Sequence, residues 1–460
     1  AATRVDEDGL VNYAEIIGSE ELTNGDFATD TDWNKGTGIT IGSGVALFTS
    51  VSSGQQLSQS STPAVSGKTY KISYEIKTRT EGAFSASIGG ALSSNQNSAV
   101  GVYTEYLTAT GVGIFYIRSR GTTSGSIDNV SVKEVTRDNV PRIDYTGGGC
   151  PHILAEPQRT NLLTYSEDFS QWAKNSGTTI TTNNAISPDG TQNASLIVAA
   201  GTGSRTGLDV SIVSGTAYTL SVYLKNNGGN TSISIGSHTT TQLETITIND
   251  EWNRYTTTFV ASSTTTSSIR IISSGSNINL YAWGAQLEEG SYDTSYIPTS
   301  GSTVTRNQDI FTRDGIGSLI NSTEGVLFLE MAALANDGTF KQLTLNDGNT
   351  ANRILVDFTD TSNQIRVFCA SGGVSQVSET FNVTSSLSFN KIAFKYKLND
   401  FALWVNGVEV ATDTSGITPI GLNKLSFNNG AGSFNFYGKV KQLQVYNTAL
   451  TDTQLAALTS

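Results

Sequence analysis

The stretch YKISYEIK (Tyr70–Lys77) decides the fold class, because apolar and polar side chains alternate along it without a break. A period of two is typical of a β-strand that buries one of its faces. The stretch YTLSVYLK (Tyr218–Lys225) shows a similar alternation, at an offset of 218 − 70 = 148 residues. The sequence therefore predicts that one β-rich module occurs twice, at about residues 19–136 and 157–305.

The remaining segment, residues 306–460, carries different signals. Asn406-Gly407 lies between two apolar runs, and this dipeptide is the strongest short-range signal for a β-hairpin. Thr451–Gln454 has the pattern of a helix capping box and precedes a leucine- and alanine-rich run. The segment therefore predicts a further β module that ends in one short helix.

The composition agrees with an all-β chain. Glycine contributes 46 of the 460 residues, and charged residues make up only 15%. Glycine and asparagine supply the positive-φ positions that turns require, and the length suggests about three domains. We predict three tandem antiparallel β-sandwiches with one short C-terminal helix. Residues 1–18, in which no clear strand is expected, and residues 137–156 are predicted to be connectors.

Two pairs of motifs resemble jelly-roll sandwiches. ELTNGDFATDTDW (Glu21–Trp33) and SIDNVSVKEV (Ser126–Val135) resemble the opening and closing runs of carbohydrate-binding modules of the family 4/9 type. NLLTYSEDFSQW (Asn161–Trp172) and LYAWGAQLEEGSYDTSYIPT (Leu280–Thr299) resemble a jelly-roll module common in phage tail proteins. These resemblances imply that both repeated modules are jelly rolls of the carbohydrate-binding kind.

Three further motifs resemble the laminin-G or concanavalin-like sandwich. They are EGVLFLEMA (Glu324–Ala332), ALWVNGVEVA (Ala402–Ala411) and YGKVKQLQVYNTALTDTQL (Tyr437–Leu455). The resemblance implies a laminin-G/concanavalin-like module over residues 306–460. Such motifs indicate a fold more strongly than a function.

The connectors resemble a framework found in tail-fibre-like proteins of bacteriophages. The two runs are ATRVDEDGLV (Ala2–Val11) and DNVPRIDYTGGGCPHILAEPQRTNLL (Asp138–Leu163). In such proteins the runs are often nearly contiguous, which implies that the module at 19–136 is inserted between them. Insertion of a jelly roll is tolerated because its termini usually lie close together.

Charge and cysteine content exclude several classes of partner. The net charge of −12 argues against a nucleic-acid partner, which requires a basic surface, and against anionic membranes. No apolar run approaches the ~20 residues of a membrane helix, so no membrane insertion is expected. Cys150 and Cys369 fall in different predicted segments, so we expect no disulfide.

The sequence offers little for catalysis. The two histidines, His152 and His238, are 86 residues apart by 238 − 152, and neither belongs to a zinc-binding motif. Glu330 is the only acid on the expected strand Val326–Met331, where concanavalin-like glycanases place an alternating acid triplet. Glu288-Glu289 are adjacent and would point to opposite faces of a strand. We therefore predict that the protein is not an enzyme, with a serine-histidine-aspartate site and an acid pair from distant strands as the open alternatives.

Sugar sites in β-sandwiches use an aromatic face together with a few polar side chains. Trp33, Trp172 and Trp283 lie on or beside expected strands, and we expect them in the sandwich cores. Trp404 is out of phase with the apolar stripe of its strand and should point to the other face. We predict Trp404 and Asn406 as ligand-binding residues, with a second sandwich face or a subunit contact as the alternative for Trp404.

Calcium is the only cofactor that the resemblance implies. Modules of the family 4/9 type often hold a structural Ca²⁺ between the first strand and the closing Asp-Asn-Val, which is Asp128–Val130 here. The family acid that follows Phe27 is replaced by Ala28, and Asp26 is the available substitute. We predict Asp26 and Asp128 as calcium ligands, with turn or capping roles as the alternative.

These resemblances imply a non-enzymatic virion protein, made in the host cytoplasm, that forms the distal part of a phage tail fibre. Its expected partners are a host cell-surface polysaccharide and other tail or capsid proteins. We expect a homotrimer, which would multiply weak glycan contacts by avidity. One alternative is a capsid or tail decoration protein without a ligand. Another is a secreted bacterial polysaccharide-binding protein.

Overall fold

The computed structural model of the chain describes residues 2–138, 140–175, 177–201, 203–229, 231–238, 242–273 and 277–460, and the side chains of 60–63 lie outside this description. The predicted all-β fold is confirmed, because antiparallel strands dominate and one α-helix occurs in the described ranges. None of the helices in these ranges is long and apolar enough to span a bilayer.

Contacts divide the chain into two compact units. The insert is Glu15–Val140, and the main unit combines Ala1–Ala14 with Pro141–Ser460. The main unit begins with the hairpin β1 (Thr3–Val5) and β2 (Val11–Tyr13). The strands of the insert are β3 (Ile16–Glu20), β4 (Asn34–Lys35), β5 (Ile39–Gly42), β6 (Val45–Val51), β7 (Gln56–Ala64), β8 (Thr69–Ile88), β9 (Ala91–Leu92), β10 (Gly101–Thr108) and β11 (Gly113–Thr136).

The insert is organised around two long strands. Its sheet has the order β10-β8-β11-β6-β5, and β3 and β7 also pair with β11. The alternation that predicted a strand at Tyr70–Lys77 is confirmed, since every second side chain from Tyr70 to Ile76 is at most 3% exposed. Trp33 packs in the same core, in contact with Phe27 and Phe115.

The main unit continues with two five-stranded sheets that enclose one core. Their strands and flanking elements are β12 (Ile143–Asp144), β13 (His152–Ala155), β14 (Arg159–Asn161), a 3₁₀ turn at Phe169–Gln171, β15 (Ala173–Lys174), β16 (Thr178–Ala185), β17 (Ala194–Ala199), β18 (Arg205–Ile212), β19 (Ala217–Asn226), β20 (Ser232–Ser237), β21 (Gln242–Thr247), β22 (Asn253–Val260), β23 (Thr265–Ser273), β24 (Ile278–Glu289) and β25 (Val304–Arg306). The sheet orders are β15-β18-β23-β20-β21 and β16-β17-β24-β19-β22. Trp172 is buried in the core between them.

The C-terminal part is a second sandwich. Its elements are β26 (Thr312–Arg313), a 3₁₀ turn at Gly317–Leu319, β27 (Glu324–Ala333), β28 (Lys341–Asn346), β29 (Arg353–Phe358), β30 (Gln364–Ser371), β31 (Val374–Asn382), β32 (Asn390–Lys397), β33 (Phe401–Val405), β34 (Val408–Asp413), β35 (Lys424–Ser426), β36 (Gly438–Tyr446) and α1 (Asp452–Thr459). Its sheets have the orders β12-β13-β36-β27-β32-β33-β34 and β26-β35-β28-β29-β30-β31. Asn406-Gly407 forms the turn between β33 and β34, and Thr451 and Gln454 form the capping box, both as predicted.

The predicted connectors contain ordered strands. Residues 1–18 were expected to carry no clear strand, but they contain β1, β2 and the first residues of β3. Within 137–156, β13 joins the edge of the C-terminal sandwich by pairing with β36. These strands are short, at three to five residues, so their sequences show no extended alternation.

Candidate functional site

A cavity of about 880 Å³ opens in the main unit. Its walls come from β1 and the loop after it, from the residues around β12 and β13, and from strands and loops of both sandwiches of the main unit. The lining side chains that carry polar or aromatic groups are Thr3, Arg4, Asp6, Glu7, Asp144, Tyr145, Thr146, His152, Glu156, Tyr223, Trp252, Asn253, Arg254, Tyr292, Asp293, Thr294, Ser295, Tyr296 and Lys439. The two segments predicted to be connectors therefore supply much of the lining.

Half-buried aromatic rings form a large part of the wall. Tyr145, Tyr223, Trp252 and Tyr292 are all of intermediate exposure. The Trp252 indole is fixed by a 3.0 Å hydrogen bond from its Nε1 to the carbonyl oxygen of Ile186. Burial raises the pKa of Tyr292 to about 12, so its hydroxyl stays protonated at neutral pH. The three tyrosines combine an apolar ring face with a hydroxyl group, and Trp252 adds a further apolar face, which is the pairing that a sugar ring requires.

A charged pair holds one side of the aromatic wall in place. Arg254 Nη1 lies 3.0 Å from Asp293 Oδ2, and Arg254 Nη2 donates to Ser221 Oγ at 2.8 Å. The same guanidinium lies over the Tyr223 ring, 5.7 Å from its centroid. Because its charge is already paired, Arg254 presents planar N–H donors rather than an unbalanced positive charge.

His152 and Asp144 lie together in the lining. His152 is 4% exposed, and its Nε2 lies 3.6 Å from Asp144 Oδ1, beyond hydrogen-bonding range. Burial lowers the pKa of His152, and the nearby Lys439 and Lys441 act in the same direction against the attraction of Asp144. His152 is therefore neutral at physiological pH and can both donate and accept a hydrogen bond.

Three hydroxyl groups of the lining are engaged away from His152. The hydroxyls of Thr3, Thr294 and Ser295 donate to Tyr296, Glu288 and Glu156 respectively, and not to His152. His152 and Asp144 thus form a histidine–carboxylate pair to which none of these three hydroxyls is bonded. The polar groups of the lining can donate and accept hydrogen bonds.

A buried ion cluster of Arg142, Glu156, Arg306 and Asp309 adjoins the cavity, and Glu156 is the member that lines it. Arg142 is fully buried, and its Nη1 donates to Glu156 Oε2 at 2.6 Å and to Ser295 Oγ at 2.5 Å. Its Nη2 contacts Asp309. Arg306 Nη1 lies 3.0 Å from Glu156 Oε2.

Glu156 is the shared carboxylate of this buried ion cluster. Burial alone would raise the pKa of Glu156, but Arg306 and Arg142 outweigh burial and lower the pKa to about 2. The cluster joins the segment around β13, the loop after β24 and the chain after β25. It therefore ties two segments of the cavity wall, at Glu156 and Ser295, to the chain at Arg306 and Asp309 behind them.

Trp404 lies on the face opposite the apolar stripe, but it is not available for sugar stacking. It is 8% exposed and packs with Phe328, Ala393 and Leu455. Helix α1 supplies Leu455 and covers the indole, so the face that we expected to bind a ligand is a second, smaller core. The alternative of a second sandwich face describes the residue correctly.

Asn406 serves the hairpin in which it lies. It adopts a positive φ of 48°, as the turn requires. Its Oδ1 accepts from the backbone N–H of Lys391 at 2.9 Å, and its Nδ2 donates to Asn390 Oδ1 at 3.0 Å. The side-chain amide is therefore engaged within the protein, and the prediction of a ligand-binding role for Asn406 has no support from this geometry.

Asp26 lies in a turn of the insert, and Asp128 lies on β11 beside a register shift in its pairing with β8. Asp26 is exposed, and its Oδ1 accepts from the backbone N–H of Ala28 at 3.3 Å. Asp128 Oδ1 accepts from the N–H of Asn129 at 2.7 Å, and its Oδ2 lies 3.8 Å from Lys77 Nζ. No group of three or more metal-ligating side chains occurs in the part of the chain that the structure describes. The calcium site remains a prediction that would have to use backbone oxygens as well.

Sequence reasoning missed the cavity residues. Trp252 and Tyr292 lie in loops, and loops carry no periodic signal. Tyr145 and His152 lie beside Gly147–Gly149, a run that resembles a linker. A usable signal was present, because a segment that combines Tyr, His, Asp and Glu is unusually rich in functional groups for a linker.

Residues 332–456 match the family model described as the concanavalin A-like lectin/glucanases superfamily. The C-terminal sandwich therefore has the concanavalin-like character that the sequence motifs implied. The description covers both lectins and glucanases. No curated protein matches the chain significantly.

Three solved structures are similar to parts of the chain. The CBM40 of a Ruminococcus gnavus IT-sialidase, bound to α2,3-sialyllactose, is 16% identical, with 33% of this chain and 98% of that chain covered and a TM-score of 0.28. The CBM22-1–CBM22-2 tandem of Paenibacillus barcinonensis Xyn10C is 11% identical, and the match covers 61% of this chain and 100% of that chain with a TM-score of 0.23. Domains LG4-5 of the mouse laminin α1 chain are 9% identical, and the match covers 61% of this chain and 92% of that chain with a TM-score of 0.22. All three TM-scores are below 0.5.

Proposed function

We propose that this protein is a non-enzymatic adhesin that binds a cell-surface glycan in the cavity of the main unit. The observation that carries the proposal is the lining itself, in which half-buried aromatic rings alternate with hydroxyl, amide and paired charged groups. A cavity of about 880 Å³ is within the ~300–1,000 Å³ range of small-ligand sites. It is large enough for a short stretch of an oligosaccharide.

The charge of the lining favours an uncharged sugar. Among the lining side chains, carboxylates outnumber cationic groups, and the chain as a whole carries a net charge of −12. Two of the carboxylates, Glu156 and Asp293, are paired with arginines. An anionic sugar would meet repulsion from the remainder, whereas hydroxyl groups can bond to both donors and acceptors.

The absence of enzymatic activity is part of this proposal. The two carboxylates of a glycosidase lie ~5–10 Å apart, and one must be able to give up a proton. Glu156 cannot act as the acid near neutral pH, because two arginines keep it ionised. Binding without turnover suits an attachment protein, which must remain on the cell surface.

The setting that we propose is a bacteriophage tail fibre, with the virion as the location and tail or capsid proteins as further partners. The support is the resemblance of the two connector runs to tail-fibre-like proteins. A homotrimer is part of the proposal, since three cavities would raise a weak affinity by avidity. A calcium ion at Asp26 and Asp128 would stabilise the insert.

Binding to cells tests the proposal. Fluorescently labelled protein is added to intact bacterial cells before and after periodate oxidation, which destroys sugars with vicinal diols, and with and without chelator. We expect saturable binding that oxidation abolishes. Binding that survives oxidation would contradict a glycan receptor, and no binding at micromolar protein would favour a decoration protein without a ligand.

A secreted polysaccharide-binding protein predicts a different pattern. It would bind purified polysaccharides and would show no preference for the cells of one host strain. A tail-fibre adhesin is expected to select one strain among close relatives, because adsorption is strain-specific when the receptor is a variable surface glycan. A strain panel in the same cell assay separates the two.

A further inference from the structure

Phe434 combines two unusual properties. Its backbone lies in the left-handed region with φ of 54°, and its side chain is 54% exposed. The left-handed region is disfavoured for a bulky residue, because Cβ crowds the neighbouring carbonyl oxygen. An exposed ring gains little from burial to offset this strain.

The other strained positions of the chain have evident compensations. Among the described residues, most non-glycine residues with positive φ are Asn, Asp or Ser, which tolerate this conformation in turns. Phe27 is the other aromatic residue in this class, with φ of 51°. It is 1% exposed in the core of the insert, so burial stabilises it. Phe434 is the exception that neither residue type nor burial explains.

The loop that carries Phe434 is held firmly. The backbone N–H of Asn429 donates to the Ser433 carbonyl oxygen at 2.9 Å, and the Ser433 N–H donates to Asn429 Oδ1 at 3.1 Å. The Phe434 carbonyl oxygen accepts from the N–H of Gln342 on β28 at 3.2 Å. These bonds fix the strained backbone, so the ring is presented in one place.

The ring is also supported by its neighbours. Phe340 packs edge-to-face with Phe434 at 5.7 Å between centroids. The guanidinium of Arg366 lies over Phe340 at 5.1 Å and is itself held by the buried Asp357, at 3.2 and 2.6 Å. The charge of Arg366 is thus paired, and no free charge is directed at the exposed ring.

Three neutral polar side chains, those of Gln308, Asn435 and Tyr437, form a hydrogen-bonded group, and Asn435 is next to Phe434 in the chain. Asn435 Nδ2 donates to Gln308 Oε1 at 3.3 Å and to the Tyr437 hydroxyl at 3.2 Å. The Tyr437 hydroxyl donates to Gln308 Oε1 at 2.5 Å. Amide and hydroxyl groups of this kind can exchange bonds with sugar hydroxyls, because they are half-exposed or exposed.

We propose that Phe434 is the stacking platform of a second carbohydrate site, which takes the apolar face of an uncharged sugar ring and binds its hydroxyls through Asn435, Gln308 and Tyr437. Phe434 and its neighbours do not line the cavity, so this site is additional to the one proposed above. A single exposed ring suits a sugar better than a protein partner, which would require ~800 Å² on each side.

A glycan array with the full chain tests this site. The array carries dextran, mannan, bacterial O-antigens and anionic capsular polysaccharides. Phe434→Asn removes the ring and introduces a residue that accepts positive φ, whereas Phe434→Tyr keeps the ring. The control is Ile420→Ala, which removes an apolar side chain that is 70% exposed elsewhere on the sandwich. Trp252→Ala reports on the cavity.

We expect the protein concentration for half-saturation to rise about tenfold in Phe434→Asn, on at least one neutral glycan that Trp252→Ala still binds. The same concentration should be unchanged in Phe434→Tyr and Ile420→Ala. Ten-fold corresponds to about 1.4 kcal/mol, within reach of one stacked ring. The calorimetric transition of the main unit in Phe434→Asn should occur at or above the wild-type temperature, since strain is relieved. Wild-type binding by Phe434→Asn on every glycan, loss confined to anionic glycans, or no glycan bound by the wild type would each overturn the proposal.

Discussion

Neutralising Glu156 is expected to destabilise the main unit strongly, because this carboxylate serves two buried arginines. Arg142 is fully buried and Arg306 is 3% exposed, so neither can turn to water when its partner loses charge. Glu156→Gln keeps the size of the side chain and removes the charge. Breaking a buried ion pair from one side costs ~3–5 kcal/mol.

The pKa of Glu156 leads to a similar magnitude. Its folded value of about 2 lies below the ordinary value of 4.5, so the ionised form stabilises the fold. At ~1.4 kcal/mol per unit, the difference is ~3 kcal/mol. Because the folded pKa is depressed, this stabilisation is fully present above about pH 4.5 and is lost as the pH falls towards 2. Burial raises the pKa of Asp309 in the same cluster, which offsets part of this effect.

Calorimetry is the appropriate assay, because the chain contains several units and one midpoint would not describe it. At ~2.1 cal/mol/K of unfolding entropy per residue, a unit of about 330 residues shifts by ~1.4 °C per kcal/mol, so the transition of the main unit should fall by about 4 °C or more in Glu156→Gln. Glu289→Gln, which changes an exposed acid on β24, serves as the matched control. The double variant Arg142→Met/Glu156→Gln should cost less than the sum of the single variants. A shift below ~2 °C for Glu156→Gln, or equal shifts for both acids, would refute a clamping role for the cluster.

Three further outcomes are expected. Gly25→Ala should destabilise the insert by ~3 kcal/mol or more in urea unfolding, because an added Cβ would lie 2.0 Å from the Val130 carbonyl oxygen. Gly42→Ala is the control and should change the stability little, because the space around its Cβ is open. Leu455→Ala should cost ~2–5 kcal/mol and expose Trp404, seen as a red shift of tryptophan emission; unchanged emission would contradict the packing of α1 on the indole. Calcium at millimolar concentration should raise the unfolding midpoint of the insert if Asp26 and Asp128 bind it, and Asp26→Asn should remove this effect. An equal response of the wild type and Asp26→Asn would exclude the site.

The fold was largely readable from local patterns. Alternation at Tyr70–Lys77, the Asn406-Gly407 turn and the capping box at Thr451 each depend on neighbours in sequence, and each is present in the structure. The predicted burial of Trp33, Trp172 and Trp283 is also confirmed. Local signals suffice there because strand period, turn chemistry and helix capping are properties of short segments.

The candidate site was not readable in the same way. Trp404 was placed on the correct face, but no local pattern reveals that α1, some fifty residues later, packs over it. The cavity residues come from segments as distant as Arg4 and Lys439. Only the tertiary fold brings such segments together, so a sequence without a family motif cannot assign them to one site.

The most direct test of the cavity as a glycan site uses a label at its rim. Cys150 is exposed and follows the lining residues Gly147–Gly149, whereas Cys369 is buried and burial raises its pKa to about 12, so a thiol-reactive dye should label Cys150 selectively. The labelled chain is titrated with purified surface polysaccharide from the bacterial strain that it binds. We predict a saturable change in fluorescence. The affinity derived from it should fall about tenfold or more in Trp252→Ala and should be closer to the wild-type value in Trp252→Phe. Identical titrations for wild type and Trp252→Ala would contradict a glycan site in the cavity.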